Sequence, residues 1–535
     1  MKKTYLLLVF ILSFIVISCN RTKEYKIPVD DNLKAAMISD NYRVYYEIFI
    51  GSFSDSNNDG IGDLKGIINR FDYLNDGDPN SGQSLGIDGI WLSPMMPSPS
   101  YHKYDVTNYK NIDSKLGTLD DFEALIKIAN ERDVKIIIDL VINHTSDWHP
   151  WFREFKKSYQ ENDLTNPYRD YYTVKHKDNL DLNSKYYPIY SGSDYYYEGN
   201  FSSSMPELNF DNPKVKEEIA DIAKFWIDLG VSGFRLDAAK YVYFNNTEKN
   251  LSFWDWFMTT VKSYKSDIYV VGETWSSENE MLPYYQNFNN FDFSFSQLDG
   301  EIAQAARVTS SVKSFVSNVK TYYDKVLAIN NEAILSPFIS NHDMDRAAGY
   351  LNVEDGIMGM AANLYILGPG NPYIYYGEEI GMKGYRGTAN TDANRRLAML
   401  WGDGDKVKDP TGTTYDSSFQ VNGTVKTQLS DKDSLYNHYK KLIMLRKANP
   451  EIARGTYTPI TYQEKDTFGG FISSYEGSTV VVFHNTGIKE LEIDLSKYTD
   501  IQLSILRGYA GRGTAELSSD GKTLKISGLT SVILK

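Results

Sequence analysis

From residue 44 to residue 376, short β-rich apolar runs alternate with amphipathic helical stretches, and several runs end on acids, amides or imidazoles. The runs cover 44–50, 88–92, 134–140, 231–236, 268–271, 291–295, 335–339 and 372–376. Helical patterns lie between several of them, as at 119–131 and 215–229. Strands that alternate with helices pair in parallel, because a parallel neighbour is reached only through a long crossover. Eight such strands predict an α/β chain whose core is a closed (β/α)8 TIM barrel. The interval 145–205 is rich in Tyr, Asp, Asn and Ser and reads as an irregular insertion after the third strand. A helix at 436–449 closes the barrel. Beyond 453, short β-rich runs such as 479–483 and 524–526, separated by Gly and Asn turns, predict a C-terminal β-sandwich. The expected barrel is therefore 41–144 plus 206–452, with an insertion domain at 145–205 and a sandwich at 453–535.

The N-terminus carries an address. Lys2 and Lys3 precede an apolar run at 5–17, shorter than the roughly 20 residues that span a bilayer as a helix. A basic start, an apolar stretch and a small residue before a break read as an export signal, here 1–18. Val16-Ile17-Ser18-Cys19 resembles a bacterial lipoprotein box, which implies lipidation of Cys19, followed by a polar tether at 19–40. Cys19 is the single cysteine of the chain, so no intrachain disulfide and no cysteine-built zinc site is available. Lys plus Arg number 56 against 70 Asp plus Glu, a net charge of −14, which argues against nucleic acid as a partner. The 41 Tyr, 25 Phe and 8 Trp residues include faces that suit sugar rings, although most such rings serve packing.

In a barrel of this kind the chemistry sits where strands end and their following loops begin. The third strand ends Asp139-Leu-Val-Ile-Asn143-His144, and the fourth ends Gly233-Phe-Arg235-Leu-Asp237-Ala-Ala-Lys240. The fifth ends Gly272-Glu273-Thr-Trp275, and the seventh runs into Asn341-His342-Asp343. One acid after an apolar run is ordinarily a helix cap. Four such ends, in order and spaced by whole βα units, are not explained by caps.

Together with Gly89-Ile-Trp91-Leu-Ser-Pro94 and Tyr376-Gly-Glu378-Glu-Ile-Gly381, these motifs resemble the α-amylase family of glycoside hydrolases, family thirteen, from about Tyr42 to the C-terminus. The resemblance implies Asp237 as nucleophile, Glu273 as general acid/base and Asp343 as the carboxylate that stabilises the transition state. It implies that Arg235 orients Asp237, that His144 and His342 hydrogen-bond the sugar beside the scissile bond, and that this sugar stacks on Tyr104. His102, Lys240, Trp275 and either Arg395 or Arg396, near Asp392, join the expected substrate contacts. The residues agree with that chemistry. Retaining cleavage needs one carboxylate to attack and one acid to protonate the leaving oxygen, roughly 5–5.5 Å apart. Repulsion from Asp237 and Asp343 is expected to keep Glu273 protonated. The bond cleavage itself needs no cofactor.

After the first strand, Asp55-Ser-Asn57-Asn-Asp59-Gly60-Ile61-Gly62-Asp63 sets oxygen donors at alternate positions around glycine turns, a donor type hard cations prefer. Gly66 stands where an EF-hand needs its bidentate Glu, so that reading fails. The loop resembles the calcium loop of the oligo-1,6-glucosidase branch, which implies Ca2+, with Mg2+ as the alternative, on Asp55, Asn57, Asp59, Asp63 and the Ile61 carbonyl. An Asx-turn loop without metal is the competing reading. No second calcium site is assigned, because Tyr241 stands where calcium-dependent α-amylases usually carry His. Met205-Pro-Glu-Leu-Asn209 resembles a group between neopullulanases and oligo-1,6-glucosidases, although Glu207 replaces the usual Asp. His102-Lys103-Tyr104 replaces the Asp-Asn-Gly-Tyr of enzymes that grip a chain end, which favours internal cleavage of α-1,4-glucan.

The leading expectation is a retaining α-amylase acting on starch. As a whole, the chain resembles outer-membrane α-amylase lipoproteins of starch utilisation. That likeness implies a surface-exposed anchor on the bacterial outer membrane and other starch-binding surface proteins as partners. A neopullulanase or oligo-α-1,6-glucosidase and a catalytically silent glycan-binding barrel are the alternatives. Retention of all three carboxylates speaks against silence.

Overall fold

The computed structural model describes residues 33–36 and 38–535. The export signal, Cys19 and most of the tether lie outside them. Among the described residues no helix is long and apolar enough to cross a membrane.

Strands β1 (Tyr45–Ile48), β2 (Gly89–Leu92) and β3 (Lys135–Leu140) open the barrel. The chain then leaves it for β4 (Val174–His176), β5 (Tyr186–Pro188) and β6 (Tyr195–Glu198). It returns through β7 (Gly233–Leu236), β8 (Tyr269–Gly272), β9 (Asn289–Asn290) and β10 (Tyr373–Tyr375). The barrel sheet runs β10-β1-β2-β3-β7-β8-β9, with every pair parallel. The helix expected at 119–131 is Leu119–Glu131, opened by a capping box between Thr118 and Asp121. Those expected at 215–229 and 436–449 are Pro213–Asp228 and Leu435–Lys447.

The sixth and seventh barrel strands depart from expectation. In place of a strand at 291–295 there is a two-residue ladder at Asn289–Asn290 and a 3-10 turn at Phe293–Phe295. The segment 335–339 forms no ladder and joins its neighbours by two parallel bridges, Phe291 to Ser336 and Phe338 to Tyr373. Two side chains explain this. The Asp292 carboxylate accepts the Ser336 N–H at 2.9 Å, a bond that a backbone ladder would otherwise make. Pro337 has no N–H to contribute. The barrel therefore closes through side-chain and single-bridge contacts on this arc.

The insertion is more regular than its composition suggests. It contains the helix Pro150–Gln160 and a three-stranded antiparallel sheet in the order β4-β6-β5. Beyond the barrel, β11 (Thr456–Pro459), β12 (Phe468–Tyr475) and β13 (Ser478–Asn485) precede β14 (Leu491–Asp494) and β15 (Leu506–Gly511). They are followed by β16 (Ala515–Leu517), β17 (Thr523–Ile526) and β18 (Thr530–Leu534). These form a five-stranded sheet, β11-β12-β13-β18-β15, and a three-stranded sheet, β14-β17-β16. A separate apolar core around Phe483, Ile493, Ile526 and Val532 joins the two sheets as a sandwich.

Inside the barrel the filling is largely aromatic. Tyr45 stacks on Tyr373 at 4.8 Å and on Tyr269 at 5.3 Å, with Trp91, Phe291, Phe293 and Phe338 in the same cluster. Two glycines let the strands beside the future site approach closely. A Cβ on Gly233 would lie 1.8 Å from the Tyr269 carbonyl oxygen, and one on Gly272 would lie 2.1 Å from the Phe288 ring.

Candidate active site

The C-terminal ends of β3, β7 and β8 bring three carboxylates onto one guanidinium. Arg235, only 1% exposed, projects from β7. Its Nη1 donates to Asp139 at 2.8 Å and to Asp237 at 2.7 Å, and its Nη2 lies 2.7 Å from Glu273 Oε2. The guanidinium also lies over the Trp91 ring, 5.1 Å from its centroid. One rigid fork thus fixes the candidate nucleophile and the candidate acid relative to each other. Ala238 follows Asp237 in the left-handed region (φ 47°, ψ 42°), and its N–H donates to Glu273 Oε2 at 3.2 Å. A non-glycine residue held there stores strain that the packed barrel end sustains.

Asp343 approaches from the seventh strand segment and is the most open of the acids, its side chain 29% exposed against 11% for Asp237 and 13% for Glu273. Arg396 Nη2 donates to Asp343 Oδ1 at 2.6 Å, and His342 Nε2 lies 2.9 Å from Oδ2. Arg396 reaches the carboxylate, whereas Arg395 pairs with Asp392 and Asp345 and donates to the Asp343 carbonyl.

The surroundings push these acids in different directions. Burial raises Glu273, with the charges of Asp237 and Asp343 adding to it and Arg235 opposing. Burial is thus the leading cause, ahead of the like-charge repulsion inferred from sequence. Burial also raises Asp237, against the pull of Arg235. Asp343 is held well below the usual carboxylate range, because His342 and Arg396 outweigh its burial.

Tyr104 links the groups. Its hydroxyl donates to Asp139 Oδ2 at 3.1 Å and lies 2.7 Å from His342 Nε2, and its ring stacks on His342 at 5.6 Å. Lys103, beside it, adopts φ 67°, the region that favours the glycine of the chain-end-gripping motif. Its ammonium is buried on Asp113 at 2.6 Å, which offsets the backbone cost. His144 meets the backbone of Tyr104. It is 2% exposed, its Nε2 lies 3.1 Å from the Tyr104 carbonyl oxygen and its Nδ1 faces the Asn143 amide at 3.4 Å. Both ring nitrogens are engaged by protein, so His144 supports Tyr104 from behind. Burial lowers His144 and His102 to about 4, so both rings are neutral at pH 7. His102 Nδ1 lies 3.1 Å from Ser100 Oγ and accepts the Tyr104 N–H. Lys240 donates to Ser276 at 3.2 Å, and Trp275, 42% exposed, stacks on Phe293 at 5.1 Å.

Sequence reasoning assigned no role to Asp139 or Glu47. Asp139 is fully buried, and Glu47, 2% exposed in β1, lies 2.6 Å from His342 Nδ1. An acid inside an apolar run carries no outward sign of which partner it meets.

In the loop after β1, Asp55 accepts the N–H groups of Asn57, Asn58 and Gly60. Asn57 accepts from Asp59, and Asp59 accepts from Ile61. Asp63 accepts from Ser56 and caps the helix Leu64–Asn69. Among the described residues no group of three or more His, Cys, Asp or Glu side chains converges as a metal site.

Residues 47–455 match the family profile described as Alpha amylase, catalytic domain. The chain is 38% identical to Alpha-amylase 3 of Dictyoglomus thermophilum over 449 residues, 83% of this chain and 84% of that protein. It is 31% identical to an oligo-1,6-glucosidase of Parageobacillus thermoglucosidasius, over 80% of this chain and 88% of that protein. Among solved structures, Amy13B of Eubacterium rectale superposes with a TM-score of 0.85 at 37% identity, covering 94% of this chain and 96% of that one.

The shared guanidinium makes a testable demand. Arg235→Met leaves buried carboxylates uncompensated and should cost about 3–5 kcal/mol of stability at pH 7. Unpaired acids gain protons on folding, so the penalty should shrink as pH falls towards 4. Denaturant midpoints of both proteins across that range check the magnitude and the sign.

Proposed function

The chain belongs to the α-amylase family of glycoside hydrolases, and from that premise we propose that it cleaves internal α-1,4-glucosidic bonds of starch and maltooligosaccharides with retention. The observation that carries the mechanism is Arg235 bound to Asp237 and Glu273 at once. Asp237 attacks the anomeric carbon, while Glu273 gives its proton to the leaving glycosidic oxygen. Glu273 then takes a proton from the water that releases the sugar, so the acid becomes the base. Asp343, kept ionised by Arg396 and His342, faces the positive charge that develops on the sugar ring. Tyr104 supplies a ring face for that sugar, and the exposed face of Trp275 suits a neighbouring one. Lys240 lies beside Trp275 on the Ser276 hydroxyl, where it can meet sugar hydroxyls.

Internal cleavage is supported by the strand-two loop, where Lys103 is turned down onto Asp113 and no chain-end clamp stands at His102. Cleavage of α-1,6 bonds is the second reading, favoured by the oligo-1,6-glucosidase relative.

A structural Ca2+ in the loop from Asp55 to Asp63 is part of this proposal, with Mg2+ as the competing ion. The donor chemistry fits an oxygen-seeking cation. Asp55 and Asp63 are buried, and among the described residues no cation pairs with Asp55, Asp59 or Asp63. Asp55, Asp59 and Asp63, completed by the Asn57 amide and Ile61 carbonyl oxygens, would hold the ion. Its contribution would be to loop stability. We further propose that the exported chain is anchored through lipidated Cys19 on the outer face of the outer membrane, among other starch-binding proteins. The lipoprotein box and the inability of polymeric starch to cross the envelope easily support this.

Glu273→Gln should lower turnover of a starch substrate by about 10²–10⁴, the usual range for losing general acid catalysis. Near-normal turnover, or an inverted first-formed anomer, counts against the assignment. Amylose should lose iodine colour before much reducing sugar appears. Parallel assays on pullulan, panose and isomaltose separate the α-1,6 reading.

Calcium should raise the melting temperature of the wild type through binding to the native state, and Asp59→Ala should abolish that gain. Equal melting in calcium and in chelator, together with no bound ion by elemental analysis, removes the metal from the proposal.

The Cys19→Ala protein should leave the membrane fraction in a bacterial host that lipidates its own lipoproteins. Retention equal to that of the wild type removes the anchor.

A further inference from the structure

Among the buried acids of the barrel, Glu47 is one that the reaction does not use. Strand periodicity puts Glu47 on the same face of β1 as Tyr45, inside the barrel, while Tyr46 and Ile48 join the core outside it. A charge there is costly unless it is paired and hydrogen-bonded. Its partner is His342. Glu47 Oε1 lies 2.6 Å from Nδ1, while Asp343 Oδ2 lies 2.9 Å from Nε2. Glu47 also accepts the His342 backbone N–H at 3.4 Å.

An ionised carboxylate accepts hydrogen bonds and donates none. An imidazole with a carboxylate on each nitrogen satisfies both only by carrying a proton on each. A neutral ring would leave a lone pair facing a buried carboxylate, which costs the full desolvation of that group.

We infer that Glu47 is a positioning residue for the reaction proposed above, fixing His342 as an imidazolium whose Nε2–H holds Asp343 and Tyr104 in place. The inference rests on that reading for the roles of Asp343 and Tyr104. The proton on Nε2 points at Asp343 and the Tyr104 oxygen, so the Tyr104 O–H is left to donate to Asp139. Negative groups around the ring are Glu47 from β1, Asp139 from β3, Asp237 after β7 and Asp343 beside it. The cations are Arg235 and Arg396, the latter donating to the His342 carbonyl at 3.1 Å. Burial pulls His342 down, yet Asp343 and Glu47 together push it up to about 10. The charged state therefore persists through the pH range in which Glu273 must hold and release a proton.

The test is nitrogen NMR of the histidine-labelled full chain, with His342 assigned by its loss in His342→Asn. In the wild type at pH 8, His342 should carry protons on both nitrogens. In Glu47→Gln, which keeps an oxygen at the same place without the charge, its proton affinity should fall by about a hundredfold or more, two pKa units or more, which brings its titration down to about pH 8 or below. The kcat/KM of that variant on a soluble α-glucan should then fall more at pH 8 than at pH 6, a split that a merely structural role does not produce. A neutral His342 in the wild type at pH 8, including one with the proton on Glu47, overturns the inference. So does an equal loss at both pH values. If the variant does not fold, the wild-type measurement decides alone. An imidazolium in a chain inactive on glucan would sink the proposed reaction and leave this protonation state standing.

Discussion

The barrel mouth depends on a single buried guanidinium. Arg235 gathers acids from the ends of β3, β7 and β8, and no other cation pairs with Asp139, Asp237 or Glu273 among the described residues. Taking such charges out of water costs several kcal/mol each, so the arrangement survives only with near-ideal hydrogen bonding. That condition reaches back into the sequence. Gly233, two residues before Arg235, must be side-chain-free for β7 to lie against β8. Ala238 must accept a left-handed backbone so that its N–H reaches Glu273. The guanidinium, the close strand approach and the strained turn form one solution to a single electrostatic problem.

Charge counting explains how the acids divide their tasks. Five buried or half-buried carboxylates, Glu47, Asp139, Asp237, Glu273 and Asp343, surround three cations, Arg235, Arg396 and charged His342. A cluster with an excess of negative charge in a poorly solvated place takes up protons. Asp343 has Arg396 to itself, shares His342 only with Glu47, and stays ionised. Glu273 shares its only cation with two other acids and faces the charges of Asp237 and Asp343 besides. The proton therefore belongs on Glu273 before it belongs on Asp343, the division that acid-assisted cleavage of a glycosidic bond requires.

How much of this was legible follows from what each signal depends on. Strand ends, the helix at 119–131 and the three acids at positions 237, 273 and 343 depend on local pattern, which a chain displays directly. The arc from the sixth to the seventh strand was not legible. Its ladder is replaced by the Asp292 side chain, held by Tyr285 from the turn just before it and by Tyr322 from the helix Val312–Ile329. The choice between Arg395 and Arg396 turns on one residue of register in an irregular loop. His144 meets the Tyr104 carbonyl through Nε2 and the Asn143 amide through Nδ1, contacts that its place at a strand end does not announce. Glu47 and Asp139 sit inside apolar runs, and their partners lie far away in sequence.

The abundance of aromatic residues has a different meaning in the fold than in the composition. Stacked and edge-to-face rings, Tyr45, Tyr269, Tyr373, Trp91 and Phe291, fill the barrel interior. A purely aliphatic filling would present no polar edge to the charged mouth above it. Here Trp91 offers its face to the Arg235 guanidinium and its Nε1–H to Asp139 at 3.3 Å, while Tyr373 donates to the Tyr269 hydroxyl at 3.1 Å. Aromatic groups bury much apolar area while keeping a polar handle. They grade the barrel from an apolar floor to a charged rim without leaving the guanidinium on bare hydrocarbon. Rings that can face a sugar, such as Tyr104 and Trp275, are the outermost members of this packing, each stacked on a buried ring beneath it. Their orientation is set by the buried rings beneath them, so in the proposed reaction the faces offered to the sugar belong to the packed barrel rather than to a separate loop.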